Sequence, residues 1–211
     1  MDKTKIMLSF VAGSVLLLSG CGSDSTATGG TTSEVNNPTA FYVDSAIEGV
    51  TVECSASSSV TKADGAFSYE AGAECQFKVG TVLLRSEVGL TEGKIVFEDN
   101  VRTAQFLQTL DVDGNPENGI TILAETADVL ADIGINTVPQ SDAVLAEIEE
   151  VMDLAEIGYY GRYVTSAEAE AHMEKSYEMY FGQPLYPDAP NAPEVPDVPE
   201  VPDTPEIPLN M

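Results

Sequence analysis

Four oxygen-bearing side chains alternate along one short stretch: Asp111, Asp113, Asn115 and Glu117, within Leu110-Asp-Val-Asp-Gly-Asn-Pro-Glu-Asn-Gly119. Alternate spacing lets a loop fold its oxygens inward around one hard cation, and calcium takes six to eight oxygen ligands at about 2.3–2.6 Å. This set is the candidate metal site, and Ca2+ is the candidate cofactor. A purely structural turn is the competing reading of the same residues. Asp and Asn close a preceding helix end, while Gly114 and Gly119 supply positive φ.

Nucleophilic catalysis finds little material. The chain has 1 histidine, so any Ser–His or Cys–His arrangement must use His172. It falls on a helical stretch between Ala171 and Met173, with Glu168 one turn back. That pattern predicts an exposed helical histidine beside an i−4 carboxylate. Neither a Gly-rich phosphate loop, nor G-x-S-x-G, nor a zinc-binding helix is present. The expectation is a non-enzyme with no catalytic residues.

At the N-terminus Lys3 and Lys5 precede an apolar run from Ile6 to Leu18, followed by Ser19, Gly20 and Cys21. Charged segment, apolar segment, small residues is the order of a cleaved signal. The run is well short of the roughly 20 residues a spanning helix needs. Leu18-Ser-Gly-Cys21 resembles the lipobox of bacterial lipoproteins. The resemblance implies cleavage after residue 20, a diacylglycerol and an N-acyl chain on Cys21 (palmitate among them), and stable anchoring. Gly22, where such proteins carry Asp to stay at the inner membrane, implies the outer membrane. The leaflet stays open.

The loop at 111–117 is also similar to the first half of an EF-hand or thrombospondin-type calcium loop. It departs in three places: glycine comes fourth, Pro116 removes an amide, and Ile122 stands where a twelfth-position Glu belongs.

Three cysteines, Cys21, Cys54 and Cys75, leave an even pair if the first carries lipid. In an oxidising compartment that pair is expected as a disulfide, closing a loop of about 20 residues worth roughly 3 kcal/mol. A metal site is the competing reading, but two cysteines and a distant histidine make no zinc set. The chain has 9 basic and 35 acidic residues, net −26. Losing Lys3, Lys5 and Asp2 with the signal leaves 7 against 34. That balance argues against nucleic acid and against adsorption to anionic lipid.

The rest supplies the frame. Residues 21–39, mostly Gly, Ser, Thr and Asn after the cysteine, read as a flexible tether. From residue 41 to 98 short β-prone runs recur about every ten residues: 41–43, 50–52, 59–61, 67–69, 75–79, 81–84 and 95–97. Residues 46–49, 63–65 and 71–73 read as turns, with Asp64-Gly65 as a hairpin. A small antiparallel β-sandwich or barrel follows. Val43-Asp-Ser-Ala-Ile-Glu-Gly-Val-Thr-Val52 and Thr61-Lys-Ala-Asp-Gly-Ala-Phe67 resemble the D-x-x-x-x-G-V-x-V and T-D-x-x-G-x-F signatures of transthyretin-like or carboxypeptidase-regulatory-like domains. Lys62 departs from the second. The resemblance covers about 30 residues and implies a seven-stranded, non-catalytic sandwich serving as stalk, spacer or adhesive module.

From about 99 to 181 the period becomes helical, so the predicted class is α+β within a domain at 40–181. Asp99 or Asn100 can cap a helix carrying Phe106, Leu107 and Leu110. Residues 120–123 read as a short strand and 124–133 as a helix. Ser141 can cap a third helix whose stripe is Val144, Ile148, Val151, Met152 and Ala155. Thr165 and Glu168 form a capping box before a fourth helix, with Met173, Tyr177 and Tyr180 on one face and Ala169 beneath. Residues 182–211 read as a tail, with proline at every third position from Pro184 to Pro208 and acids between. That is a polyproline II pattern of roughly 80 Å. It reads as a stiff spacer, or as a rod docking a partner protein.

Together these readings point to a non-catalytic, membrane-anchored lipoprotein acting as a cell-surface or envelope binding or adhesion module, calcium-stabilised if the loop takes its ion. The alternative is a structural or accessory envelope lipoprotein whose tail engages a partner.

Overall fold

A computed structural model describes residues 37–186. The signal segment, Cys21, nearly all of the tether and the proline repeat beyond Tyr186 lie outside the described residues. The order is β1 (Thr39–Val43), β2 (Ile47–Glu48), β3 (Thr51–Cys54), β4 (Ser57–Val60), β5 (Ala66–Ser68), β6 (Cys75–Val79), β7 (Val82–Glu87), β8 (Ile95–Phe97), α1 (Val101–Thr109), β9 (Ile120–Thr121), α2 (Thr126–Asp132), α3 (Asp142–Leu154) and α4 (Ser166–Phe181). The β-then-α order expected from the change of period is present.

Two sheets carry the first half, ordered β5-β1-β8 and β4-β3-β6-β7. Alternation does what a half-buried strand requires. In β6, Cys75, Phe77 and Val79 are buried while Gln76 and Lys78 lie on the partly exposed face. Tyr42 and Phe67 of the first sheet meet Phe77 of the second, with ring centroids 4.8 and 5.1 Å apart. Fully burying such a side chain contributes roughly 1.5–3 kcal/mol. The sheets are also tied at both margins. The Ser59 hydroxyl donates to the Ser68 carbonyl at 2.7 Å. Arg85 Nη1 donates to the Phe97 carbonyl at 2.6 Å.

Three local expectations are corrected. Residues 46–49 are not simply a turn: Ile47 and Glu48 pair in parallel with Ile120 and Thr121. β1 and β8 also run parallel, so the sandwich is not purely antiparallel. Parallel neighbours need a crossover, and here the intervening strands supply it. The Asp64-Gly65 turn is tight, with Gly65 N–H donating to the Lys62 carbonyl at 2.7 Å. It is no simple hairpin, because β5 pairs with β1 while β4 pairs with β3.

Cys54 and Cys75 sit directly opposite each other on β3 and β6 and form a disulfide, with Cα atoms 4.1 Å apart. Beneath it lies the main core. It continues from the sheets into Phe106, Leu107 and Leu110 of α1 and Leu145, Ile148 and Met152 of α3. A second, smaller cluster joins Val43, Phe97, Ala104 and Met173, tying α4 to β8 and α1.

The helix starts follow the capping residues. The Asn100 side chain accepts from the amides of Arg102 and Thr103. Ser141 accepts from the Val144 amide, and Thr165 and Glu168 close a reciprocal capping box. Gly182, at φ 67°, ends α4 in the left-handed conformation. The expected tail begins slightly late, since Leu185 still packs on the second cluster.

Candidate functional site

The stretch from α1 to β9 is built by main-chain bonds before any side chain acts. Val112 N–H donates to the Thr121 carbonyl at 2.9 Å, and Tyr160 N–H donates to the Val112 carbonyl at 2.8 Å. Residues Pro116–Asn118 make one 3-10 turn, and Gly119 leaves it at φ 113°. The proline at the first turn position loses no needed donor.

The four expected ligands do not share one environment. Asp111 is buried at 1% exposure. Its Oδ1 accepts from Thr121 N–H at 2.9 Å, and its Oδ2 is buried without a partner. Burial pushes its pKa up to about 6, and the neighbouring Asp113 carboxylate adds to the rise. Asp113 accepts from Asn115 N–H at 3.0 Å and from the Asn118 amide at 2.9 Å; those bonds hold its pKa below the usual carboxylate range. Asn115 is exposed and makes no side-chain cap. Glu117 turns toward α4, where it pairs with Lys175 and faces His172 Nδ1 at 3.4 Å. Among the described residues no group of three or more His, Cys, Asp or Glu converges as a metal site.

His172 departs from expectation. It is not an exposed helical histidine answering Glu168. It is buried, because α4 lays this face against the β1–β2 turn and the 3-10 turn. Glu168 instead serves the capping box and pairs with Arg162 at 2.9 Å. His172 Nε2 lies 3.0 Å from Ser45 Oγ and 3.2 Å from Ser176 Oγ. Burial lowers its pKa, with Glu117 opposing, so the ring is neutral near pH 7.

Serine, histidine and a carboxylate in sequence are the parts of a hydrolytic relay. Two features turn these parts to another use. The Ser45 hydroxyl donates to the Pro116 carbonyl at 2.5 Å, a closer partner than the imidazole. Ser45 is also 6% exposed, so a substrate carbonyl has no approach to its oxygen. With Nδ1–H assigned to Glu117, Nε2 accepts a hydroxyl proton that Ser176 can supply, because that of Ser45 goes to Pro116. The cluster staples three elements together. Sequence reasoning missed Ser45 entirely, since 127 residues separate it from His172.

Over the staple lies a cleft of about 400 Å³ lined by Gly114, Asn115, Glu117, Arg162, Glu168 and Lys175, among others. Two opposite-charge pairs, Glu117–Lys175 and Glu168–Arg162, form its rim.

Compared with protein-family models, with curated proteins and with solved structures, the chain matches none of them.

Proposed function

We propose that this chain is a non-catalytic lipoprotein of the bacterial cell envelope, anchored through lipid on Cys21 and presenting its folded domain as a binding or adhesion module. The observation that carries the reading is the Cys54–Cys75 disulfide. A stable disulfide belongs to an oxidising compartment. Of three cysteines it consumes two, which leaves Cys21, placed directly after Leu18-Ser-Gly, for the lipid.

Further support comes from charge and from the staple. A strongly acidic body is repelled by anionic headgroups and stands off the surface that anchors it. The Ser45–His172 contact is spent on joining elements, which leaves the charged rim of the cleft as the outward-facing feature. The test is metabolic labelling with a palmitate analogue. Wild type takes the label and fractionates with the outer membrane, and Cys21→Ser loses both. An unlabelled wild type, or a Cys21→Ser variant still held in the membrane, overturns the reading.

A further inference from the structure

We propose that the loop between α1 and β9 binds one calcium ion, with the carboxylates of Asp111 and Asp113 as its anionic ligands. Asp111 is almost wholly buried, its Oδ1 is satisfied by Thr121 N–H, and its Oδ2 has no donor. An acceptor left unpaired in the interior costs about 1–3 kcal/mol, more when the group is charged. The neighbours of that carboxylate are a second one, Asp113, and the Asn115 N–H, which already donates to Asp113 at 3.0 Å. Among the described residues neither aspartate has a lysine or arginine within 4.0 Å, whereas Glu117 has Lys175. Two carboxylates side by side with one orphaned oxygen make a place whose strain a cation would relieve.

The chemistry of the donors selects the ion. All are oxygens, so the cation is hard. The loop is irregular, joining a 3-10 turn to two positive-φ glycines, Gly114 and Gly119. Calcium accepts irregular shells of six to eight oxygens, while magnesium demands a near-ideal octahedron and sheds water reluctantly. Glu117 is engaged with α4 and stands outside the shell, which narrows the four-residue set that spacing alone suggests. The exposed Asn115 side chain, which caps nothing, and water are left to complete it. A site with two carboxylates belongs with the weak calcium modules of extracellular proteins, at dissociation constants of about 10⁻⁴–10⁻³ M. Asp111 also holds strand β9 through the Thr121 N–H, so the ion braces the β2–β9 pairing and the turn that carries Glu117 to His172.

The experiment uses the full lipidated chain in detergent, with terbium as the probe and calcium as competitor. Terbium takes calcium's ligands and emits when a nearby tyrosine absorbs. Tyr159 is placed for this, because its ring and the Asp111 carbonyl flank the same residue, Gly161. Wild type is expected to show tyrosine-sensitised emission that millimolar calcium displaces. Its melting temperature should rise by about 3–6 °C at calcium ten times the dissociation constant. Asp111→Asn places an amide where the orphaned oxygen stands, facing Asp113. It should fold, melt no lower than wild type in chelator, and lose both responses. Emission or a calcium shift that survives in Asp111→Asn assigns the effect to the diffuse acidic surface and overturns the site. A wild type that melts identically in calcium and chelator, with no displaceable emission, overturns it as well.

Discussion

Gln108 Nε2 donates to Asp44 Oδ2 at 2.7 Å, and both side chains are fully buried. The remaining oxygens, Asp44 Oδ1 and Gln108 Oε1, have no donor. Burial pushes the Asp44 carboxyl up to about 7; the Gln108 bond opposes the rise, and the charge of Glu98 adds to it. Tyr42 and Tyr180 are the other titratable groups close enough to feel this carboxyl. A protonated Asp44 supplies the missing hydrogen for the pair.

The sign follows from linkage. The folded state holds this proton more tightly than the unfolded chain, so the stability it confers is complete below about pH 4 and lost as pH rises through about 7. Each pKa unit is worth about 1.4 kcal/mol. Asp44→Asn carries the donor permanently. Urea midpoints at pH 5 and pH 8 should fall between the two for wild type and differ less for the variant, which should be the more stable at pH 8. The wild-type minus variant difference removes the opposite contribution of His172, whose lowered pKa costs stability as pH falls. Equal pH dependence in the two proteins would refute the assignment.

On the proposed non-catalytic reading, a fluorophosphonate probe should leave Ser45 unlabelled while labelling a control hydrolase. Ser45→Ala leaves the Pro116 carbonyl with the longer Gly119 N–H bond alone and should lower stability by about 0.5–1.5 kcal/mol in a denaturant melt. Covalent labelling at Ser45 would sink the non-catalytic reading.

Reducing the Cys54–Cys75 bridge, or replacing both cysteines by serine, should cost roughly 3 kcal/mol, since the closed loop spans about 20 residues. The check is a pair of thermal melts with and without reductant. An unchanged midpoint would mean that the pairing of β3 with β6 holds the loop without help.

Gly49 sits at φ 90°, and a Cβ there would run into the Ile122 carbonyl oxygen. That close approach lets Ile122 N–H reach the Glu48 carbonyl at 3.0 Å. Gly49→Ala should lose more than about 3 kcal/mol, or fail to fold, because positive-φ strain and backbone overlap add. By contrast Gly72, at φ 80° with open space around it, should tolerate Ala at about 1 kcal/mol. Circular dichroism melts of the two variants separate the cases.

Local chemistry made much of the frame legible. Asn100, Ser141 and the Thr165–Glu168 pair mark helix starts because a capping bond spans only two or three residues. Gln76 and Lys78 alternating with Cys75, Phe77 and Val79 mark a strand because side chains alternate across a sheet. The Cys54–Cys75 pairing was legible because a count of three offers few partners. What failed were partnerships across distance. Nothing near Ile47 announces that it pairs with Ile120, and nothing near Gly65 says that its flanking strands belong to different sheets.

The candidate site divides along the same line. Asp111, Asp113, Asn115 and Glu117 were visible as an alternating row of oxygens, a property of neighbours in the chain. Which oxygens stay together is a property of packing. α4, docked through Met173 against Ala104, brings Lys175 and His172 to Glu117 and draws it from the row. The same docking buries a histidine whose helical surroundings read as exposed. The sequence by itself determined where elements begin, which residues can cap, bridge or ligate, and that the chain is strongly acidic, because these depend on spacing and composition. Only the tertiary structure decided that Ser45 meets His172, that Asp44 meets Gln108 and that Asp111 keeps an unpaired oxygen in the core. Each of those depends on which faces of distant segments close against one another, and burial then sets the protonation and partners of the groups trapped between them.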